Sequence, residues 1–581
     1  MSGNPFSSFT TRSDVAAQRP IGGLSHVKGL STPELSNDTI GDLLDRAVQT
    51  WGNREAFVFL APKLRWTWRQ FQVEVDKVAA GLLCLGVEPG DRVGIWSPNR
   101  PEWVLVQFAT ARIGAVLVNI NPAYRVSELE YALNKVGVKV LICAQGMKTT
   151  DYLAMLSDIA PELKDSVAGR LKLARLPALQ TIVQFSKARH NGTFTFDQLV
   201  DMGGPAQMAR VAIVGRSLKC HDAINIQFTS GTTGHPKGAT LSHHNVVNNA
   251  RFVAGAMRLD ASDRLCVPVP LYHCFGMVLG VLVCASSGSC MVFPGESFDA
   301  VSTLAAVSSE RCTALHGVPT MFVAMLGVPN FSQFDLSSLR TGVMAGAPCP
   351  IETMKRVVSD MHMPQVTIGY GMTETSPISF QSSTDDNLER RVSTVGRVQP
   401  HLEVMIVDEA GQSVPVGATG ELWTKGYSVM RGYWGDEERT RESIVNGWMR
   451  TGDLATIDAY GYCNIVGRLK DMLIRGGENI YPREIEEFLY GHPSIAEVQV
   501  FGVPDSKYGE EICAWVVPRS GAHVSEDAIR DYCRGRIAHY KVPRYIRVVE
   551  ALPMTVTGKA QKFVMRKAMI EELKLAETHT A

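Results

Sequence analysis

The sequence predicts a two-domain α/β protein. A large N-terminal domain of βαβ-layered sheets carries a small β-rich subdomain, and a small α+β domain follows it. Three observations carry this reading. From about residue 38 to residue 425, apolar runs of strand length alternate with stretches of helical periodicity, the pattern of parallel sheets covered on both faces. Between about 403 and 434, short strands are punctuated by Gly411, Gly417, Gly420 and Gly426, which suggests a β-rich unit closing the large domain. From about residue 468, a further run of strands and helices has the size of an independent domain, about 110 residues.

The elements follow in order. Arg92 to Trp96 is a short apolar strand, Glu102 to Ile113 has helical periodicity, and Ala115 to Asn119 is again a strand. Ser127 and Glu130 have capping-box spacing and open a helix through Asn134; Val138 to Cys143 is the next strand. Residues 165–220 carry little pattern and read as a long surface connection. Ala223 to Phe228 alternates as a strand should. Gly276 to Ala285 reads as a buried core helix, and strands follow near Cys290–Phe293, Thr341–Ala345 and Val366–Tyr370. In the second domain, Pro482 to Tyr490 is a helix, and Glu497–Val503 and Ile512–Val517 are strands. Ser525 caps a helix through Ala538, Ile546–Glu550 is a strand, and Lys562 to Leu575 is a basic helix. The expected division is an N-terminal tail over 1–37, a large domain over 38–469 and a small domain over 470–581.

Bulk composition excludes several function classes. Lys+Arg and Asp+Glu are 58 each, so no global charge favours nucleic acid or an anionic membrane as partner. No apolar run reaches the roughly 20 residues of a membrane helix. The twelve cysteines are scattered singly with no Cys-x-x-Cys, which suits reduced, mostly buried thiols rather than zinc ligands. Residues 1–33 have only a faint targeting composition. They are expected to be a disordered tail on a cytoplasmic protein, with the mitochondrial matrix or the peroxisome as alternatives.

The chemistry concentrates in five motifs. Thr229-Ser230-Gly231-Thr232-Thr233-Gly234-His235-Pro236-Lys237-Gly238 follows a strand. Glycines let backbone N–H groups approach phosphate oxygens, and hydroxyls and Lys237 add donors and charge. It is not a Walker A loop, which needs Gly-Lys followed by Ser or Thr. Tyr370-Gly371-Met372-Thr373-Glu374-Thr375 also follows a strand. Tyr370 can cover a purine face, Thr373 can donate to a phosphate, and Glu374 can hold Mg²⁺ through oxygen. Thr451-Gly452-Asp453 places a carboxylate on a tight turn, where it can accept ribose hydroxyls. Gly467-Arg468-Leu469-Lys470-Asp471 leads to Gly476-Gly477-Glu478-Asn479, and Thr557-Gly558-Lys559 stands near the end. Any one of these alone reads as an ordinary turn.

Together and in this order, they resemble the adenylate-forming superfamily of acyl-CoA synthetases, luciferases and peptide-synthetase adenylation domains. The resemblance spans nearly everything after the first ~35 residues. It is strongest, at Asn225–Phe228, Leu271–Cys274 and Gly476–Pro482, to the medium-chain acyl-CoA synthetases and their bacterial relatives. It implies that Lys559 bridges the substrate carboxylate and the α-phosphate and that Arg468 contacts ribose and phosphate. It implies too that Lys470 is the hinge of a mobile lid and that Gly476, Gly477 and Glu478 line a pantetheine tunnel. By the same resemblance, His273 gates the acyl pocket, and Gly346, Ala347 and Pro348 lie along adenine. The implied activity is an AMP-forming fatty acid–CoA ligase using ATP, coenzyme A and Mg²⁺ on a small carboxylic acid, with a homo-oligomer left open. The competing readings are an adenylation enzyme that loads a carrier protein and a non-catalytic nucleotide-binding regulator.

Overall fold

The computed structural model describes residues 18–575 except 148, 230–235, 348, 476–477, 506 and 556–557. Two large sheets build the N-terminal part. One has eight strands in the order 193–195, 181–184, 140–143, 92–96, 116–120, 223–229, 237–242 and 432–433. The first six run parallel, and the last two turn antiparallel. The other has nine strands, with a parallel centre of 365–371, 341–345, 314–315, 264–266, 290–293 and 55–59. The central strands are buried on both faces, as the apolar runs of the sequence require. A six-stranded antiparallel sheet (26–28, 402–407, 420–426, 444–445, 448–457, 463–468) completes this part. A five-stranded sheet (473–475, 478–480, 495–505, 509–518, 545–548) has its own apolar cores and forms the small C-terminal unit.

Five expectations need correction. Residues 18–37 are not a loose tail: Gln18 is buried and donates to the Val398 carbonyl, and His26–Lys28 pairs with Glu403–Met405. A three-residue edge strand with one buried apolar side chain, Val27, between His26 and Lys28 is too short to show a pattern, so it is invisible in the sequence. The 165–220 stretch holds two parallel strands at one end of the eight-stranded sheet, Thr181–Gln184 and the edge strand Thr193–Thr195, and two helices, Phe196–Met202 and Pro205–Gly215. The helix after Asn121 is capped at Arg125, two residues before Ser127: Glu128 accepts from the Arg125 N–H, the helix spans Val126–Val136, and Gly137 ends it at φ 64°. The helix from Ser525 stops at Cys533, short of Ala538. Finally, the apolar stretch after His273 is not a regular α-helix. Phe275–Leu282 is wound with π-type turns before α-geometry resumes at Val283–Ser287. A Cβ on Gly276 would stand 2.3 Å from the Pro270 carbonyl oxygen, so the wide turn packs directly on the chain that enters it.

No helix among the described residues is long and apolar enough to cross a membrane.

Candidate active site

Three of the singled-out segments leave the carboxyl ends of parallel strands, where open α/β sheets bind ligands. Thr229 ends strand Ala223–Thr229, Gly346 follows Thr341–Ala345, and Thr373 and Glu374 follow Gln365–Gly371. The hydroxyl-rich loop is the connection of a β-hairpin: Thr229 pairs with Lys237, and strand Lys237–Ser242 runs back antiparallel. Ser242 then caps helix His243–Ala256 by accepting from Asn245 N–H at 3.2 Å, while Asn245 Oδ1 accepts from Ser242 N–H at 2.8 Å. Ser230, Gly231, Thr232, Thr233, Gly234, Pro348, Gly476 and Gly477 lie outside the described residues.

Glu374 is the centre of the described cluster. It is buried in a short 3₁₀ turn, Thr373–Thr375. Its Oε1 accepts from Thr229 Oγ1 at 3.2 Å and from the Tyr433 hydroxyl at 2.9 Å. Its carbonyl accepts from Met430 N–H at 2.9 Å. Among the described residues, no donor reaches Oε2. A carboxylate oxygen left over on this turn suits a hard cation held jointly with phosphate oxygens.

Asp453 was expected on a tight turn. It lies instead within the ten-residue strand Trp448–Ile457, and Gly452 before it, at φ 69°, bulges the strand. Gly452 N–H donates to Glu421 Oε1 and Asp453 N–H to Thr451 Oγ1, so the bulge is held on both sides. Asp453 pairs in register with Arg468 across the two strands, with Arg468 Nε 3.2 Å from Oδ1. The Tyr370 hydroxyl donates to Oδ2 at 2.5 Å. Burial and the Asp453 carboxylate hold the Tyr370 phenol well above its ordinary range, so it remains a donor. Tyr370 is thus tied by its hydroxyl to the carboxylate, a link that its place in the sequence did not reveal.

His273 Nδ1 accepts from Phe275 N–H at 3.2 Å, which leaves the proton of the neutral ring on Nε2. Burial, helped by the Lys559 ammonium, depresses its pKa to about 3, so the ring is neutral at physiological pH. The Cys274 thiol lies 3.6 Å from His273 Nδ1 and 3.8 Å from Thr373 Oγ1, and burial pushes it up to about 12, far from a thiolate.

Lys559 comes from the small C-terminal unit into this cluster. Burial and the Arg468 guanidinium lower its pKa, while Cys274, Asp453 and Glu374 oppose that shift. The turn that carries it is fixed locally by Thr555 N–H to the Lys559 carbonyl at 2.7 Å and by Gly558 N–H to the Thr555 carbonyl at 3.0 Å. It docks on the large domain through Thr320 Oγ1, which donates to the Gly558 carbonyl at 3.4 Å. Lys237 stands with its ammonium 4.9 Å from the Tyr433 ring centroid. Gly346, at φ 90°, leaves its strand end beside Val318, with Ala347 next to it. Glu478 is exposed on the hairpin Leu473–Arg475 and Glu478–Ile480 of the small unit.

Sequence reasoning missed Tyr433 and Thr320. Tyr433 stands in a stretch read only as β-rich, and the chain around Thr320 carries no polar motif; only the fold brings them to the cluster.

A two-domain α/β chain with hydroxyl-, carboxylate- and lysine-bearing turns at one cleft has the makings of a nucleotide-using enzyme. The chain belongs to the AMP-binding enzyme family: that family's model matches residues 44–434, and the model of its C-terminal domain matches residues 484–559. Among curated relatives, the mitochondrial medium-chain acyl-CoA ligase ACSF2 of Danio rerio is 46% identical over 557 residues, covering 95% of this chain and 91% of that one. YngI of Bacillus subtilis (strain 168) is 47% identical over 547 residues, covering 94% of this chain and all of the relative. Among solved structures, the anthranilate CoA ligase AuaEII in complex with anthranoyl-AMP superposes with a TM-score of 0.83 at 28% identity, over 94% of this chain and 99% of that one. The Mycobacterium tuberculosis fatty acyl CoA synthetase gives 0.68 at 30% identity, over 92% and 99%.

Proposed function

We propose that the chain is an ATP-dependent, AMP-forming acyl-CoA ligase acting on a medium-chain fatty carboxylate in the cytoplasm. The medium-chain expectation follows the named activity of the ACSF2 relatives. The observation that carries the reading is the presence of Lys559, from the small unit, among Glu374, Asp453, Arg468 and His273 of the large one.

In the first step, a carboxylate oxygen attacks the α-phosphorus of ATP, the bond to the bridging oxygen breaks, and pyrophosphate leaves with acyl-adenylate remaining. In the second, the thiol of coenzyme A adds to the acyl carbonyl, loses its proton, and expels AMP. No protein nucleophile is needed. The work is positioning and the stabilisation of developing charge by fixed cations. Lys559 supplies the cation between carboxylate and α-phosphate, and Arg468 and Asp453 hold the ribose side. Lys237, Thr229 and Thr373 hold phosphate oxygens. Glu374 would hold Mg²⁺, which would supply charge neutralisation for the departing pyrophosphate. His273, fixed as the neutral Nε2–H tautomer, borders the acyl entry without exchanging a proton. Lys470 sits on the exposed turn Leu469–Asp471 between the last strand of the large part and the first of the small one, the place for a hinge. Rotation there would withdraw Lys559 and bring the Gly476–Glu478 loop to the carbonyl.

The test is mass spectrometry of products from purified protein with Mg·ATP, coenzyme A and a panel of short to long fatty and aryl acids. Acyl-CoA with AMP is expected, with medium chains dominant. Acyl-adenylate without thioester would move the chain to the carrier-loading class, and nucleotide binding without turnover would make it a regulator. Fractionation of the source cells checks the compartment; the protein in the mitochondrial fraction would refute the cytoplasmic assignment.

A further inference from the structure

Tyr433 has no place in the reading above, yet it touches two of its groups at once. It lies on the last strand of the eight-stranded sheet, Gly432–Tyr433, and pairs with Ala239, two residues beyond Lys237 on the neighbouring strand. Its side chain is buried. The hydroxyl donates to Glu374 Oε1 at 2.9 Å, and the ring lies under the Lys237 ammonium at 4.9 Å from the centroid. Backbone contacts on both sides fix the residue: Tyr433 N–H donates to Thr440 Oγ1 at 2.9 Å, and Trp434 N–H to the Gly238 carbonyl at 2.8 Å.

We propose that Tyr433 is a positioning residue that readies the protein for a divalent cation bound with a nucleoside triphosphate. This rests on the nucleotide-binding part of the reading above. Two consequences follow from the geometry. With Oε1 engaged by Tyr433 and Thr229, the carboxylate plane of Glu374 is fixed and Oε2 is the oxygen left for a cation. A carboxylate free to rotate would have to be ordered when the cation arrives, so loss of the hydroxyl weakens cation binding in particular. The ring has a separate task. It gives the Lys237 ammonium an electrostatic seat beside Glu374 when no phosphate is present. Without it, the long lysine chain must be ordered by the triphosphate itself, which weakens triphosphate binding at any cation concentration.

The two tasks separate by substitution. Tyr433→Phe keeps the ring and removes the donor, and Tyr433→Leu removes both. Binding of ATP to the full-length protein is followed by titration calorimetry over a range of Mg²⁺ concentrations, alongside pyrophosphate release with a turned-over acid. Expected for Tyr433→Phe is a rise of about tenfold in the Mg²⁺ concentration needed for half-maximal ATP binding. Its ATP affinity without Mg²⁺, and its KM for the acid and for coenzyme A, should match wild type. Tyr433→Leu should show the same Mg²⁺ shift and, in addition, ATP binding weakened severalfold without Mg²⁺. Equal losses in both variants, or lower thermal stability with an unchanged Mg²⁺ requirement, would overturn the proposal and leave Tyr433 a packing residue. If wild type binds ATP in a Mg²⁺-dependent way but turns over no acid, the ligase reading fails, while a Mg²⁺ shift in Tyr433→Phe still upholds the positioning role. Absence of ATP binding by wild type overturns both.

Discussion

Replacement of Gly558 by Ala tests whether the observed docking of the small unit is the adenylate-forming arrangement. Gly558 sits at φ 75°, and a methyl group there would stand 3.0 Å from both Thr320 Oγ1 and Val318 Cγ2. Two costs follow, and they act differently. The left-handed backbone costs a non-glycine residue about 1 kcal/mol, but the local turn is the same whether or not the unit is docked, so this term cancels from the docking equilibrium. The close contacts exist only when docked. Relieving them moves side chains by a few tenths of an ångström, at the low end of overpacking costs, about 1 kcal/mol. That is about fivefold in an equilibrium constant. Gly558→Ala should therefore slow acyl-adenylate formation, read as pyrophosphate release, about fivefold. Conversion of supplied acyl-adenylate to acyl-CoA should stay within about twofold of wild type. Val318→Ala removes one of the two clashing atoms, so the double variant should recover much of the loss relative to Val318→Ala alone, and the coupling is read from the cycle. Equal slowing of both half-reactions, or no coupling between the two sites, would refute the reasoning.

Lys559→Ala should cut adenylate formation by about two to three orders of magnitude, the usual worth of a fixed transition-state donor, and largely spare thioester formation from supplied acyl-adenylate; equal losses would remove its assigned role. Asp453→Asn takes a charge from both Tyr370 and Arg468, and the KM for ATP should rise at least tenfold while that for the acid changes little, as initial rates will show. With His273 at about 3, no limb of the kcat/KM profile between pH 5.5 and 8 should come from it; an inflection near 6.5 that disappears in His273→Asn would count against the buried neutral ring. His243 and His316 are held at about 4 by burial. The unfolded chain binds protons that the folded chain refuses, so their contribution is complete above the unfolded value of about 6.5 and is lost as pH falls toward 4. Between pH 7 and pH 5 the loss is about 2 kcal/mol for each, and a thermal midpoint that does not fall over that interval would contradict it.

The parallel strands were legible because burial on both faces leaves an unbroken apolar run, and 92–96, 140–143, 290–293 and 341–345 appear where such runs stand. Edge strands were not. His26–Lys28 and Thr193–Thr195 owe their place to backbone pairing, which side-chain patterning does not record. The π-type winding after Cys274 was hidden for a related reason: a stretch buried all round has no polar face to report its period. The segments of the site could be named because glycines, hydroxyls and charges in turns are uncommon in a fixed order. Their geometry could not. Asp453 reads as a turn residue, since Gly452 signals a reversal as readily as a bulge, and Tyr433 reads as one more strand aromatic.

The electrostatic arrangement explains why these groups can wait side by side. Lys237, Arg468 and Lys559 bring three cations to one cleft, against the carboxylates of Glu374 and Asp453. Each cation has a different counterpart: Arg468 the Asp453 carboxylate, Lys237 the Tyr433 ring, and Lys559 the mixed field of Cys274, Asp453 and Glu374. A cleft holding only cations would lower each lysine and cost stability in the empty protein. Two carboxylates hold that cost down and leave a small positive excess that a triphosphate satisfies. Uncharged His273 and the fully protonated Tyr433 hydroxyl add donors without adding charge. Burial and the Arg468 guanidinium lower the pKa of Lys559 where it stands. It is also the one of the three that belongs to the small unit. On the mechanism proposed above, the same cost that readies it for a phosphate would favour its departure once pyrophosphate has gone, the direction a second half-reaction would require.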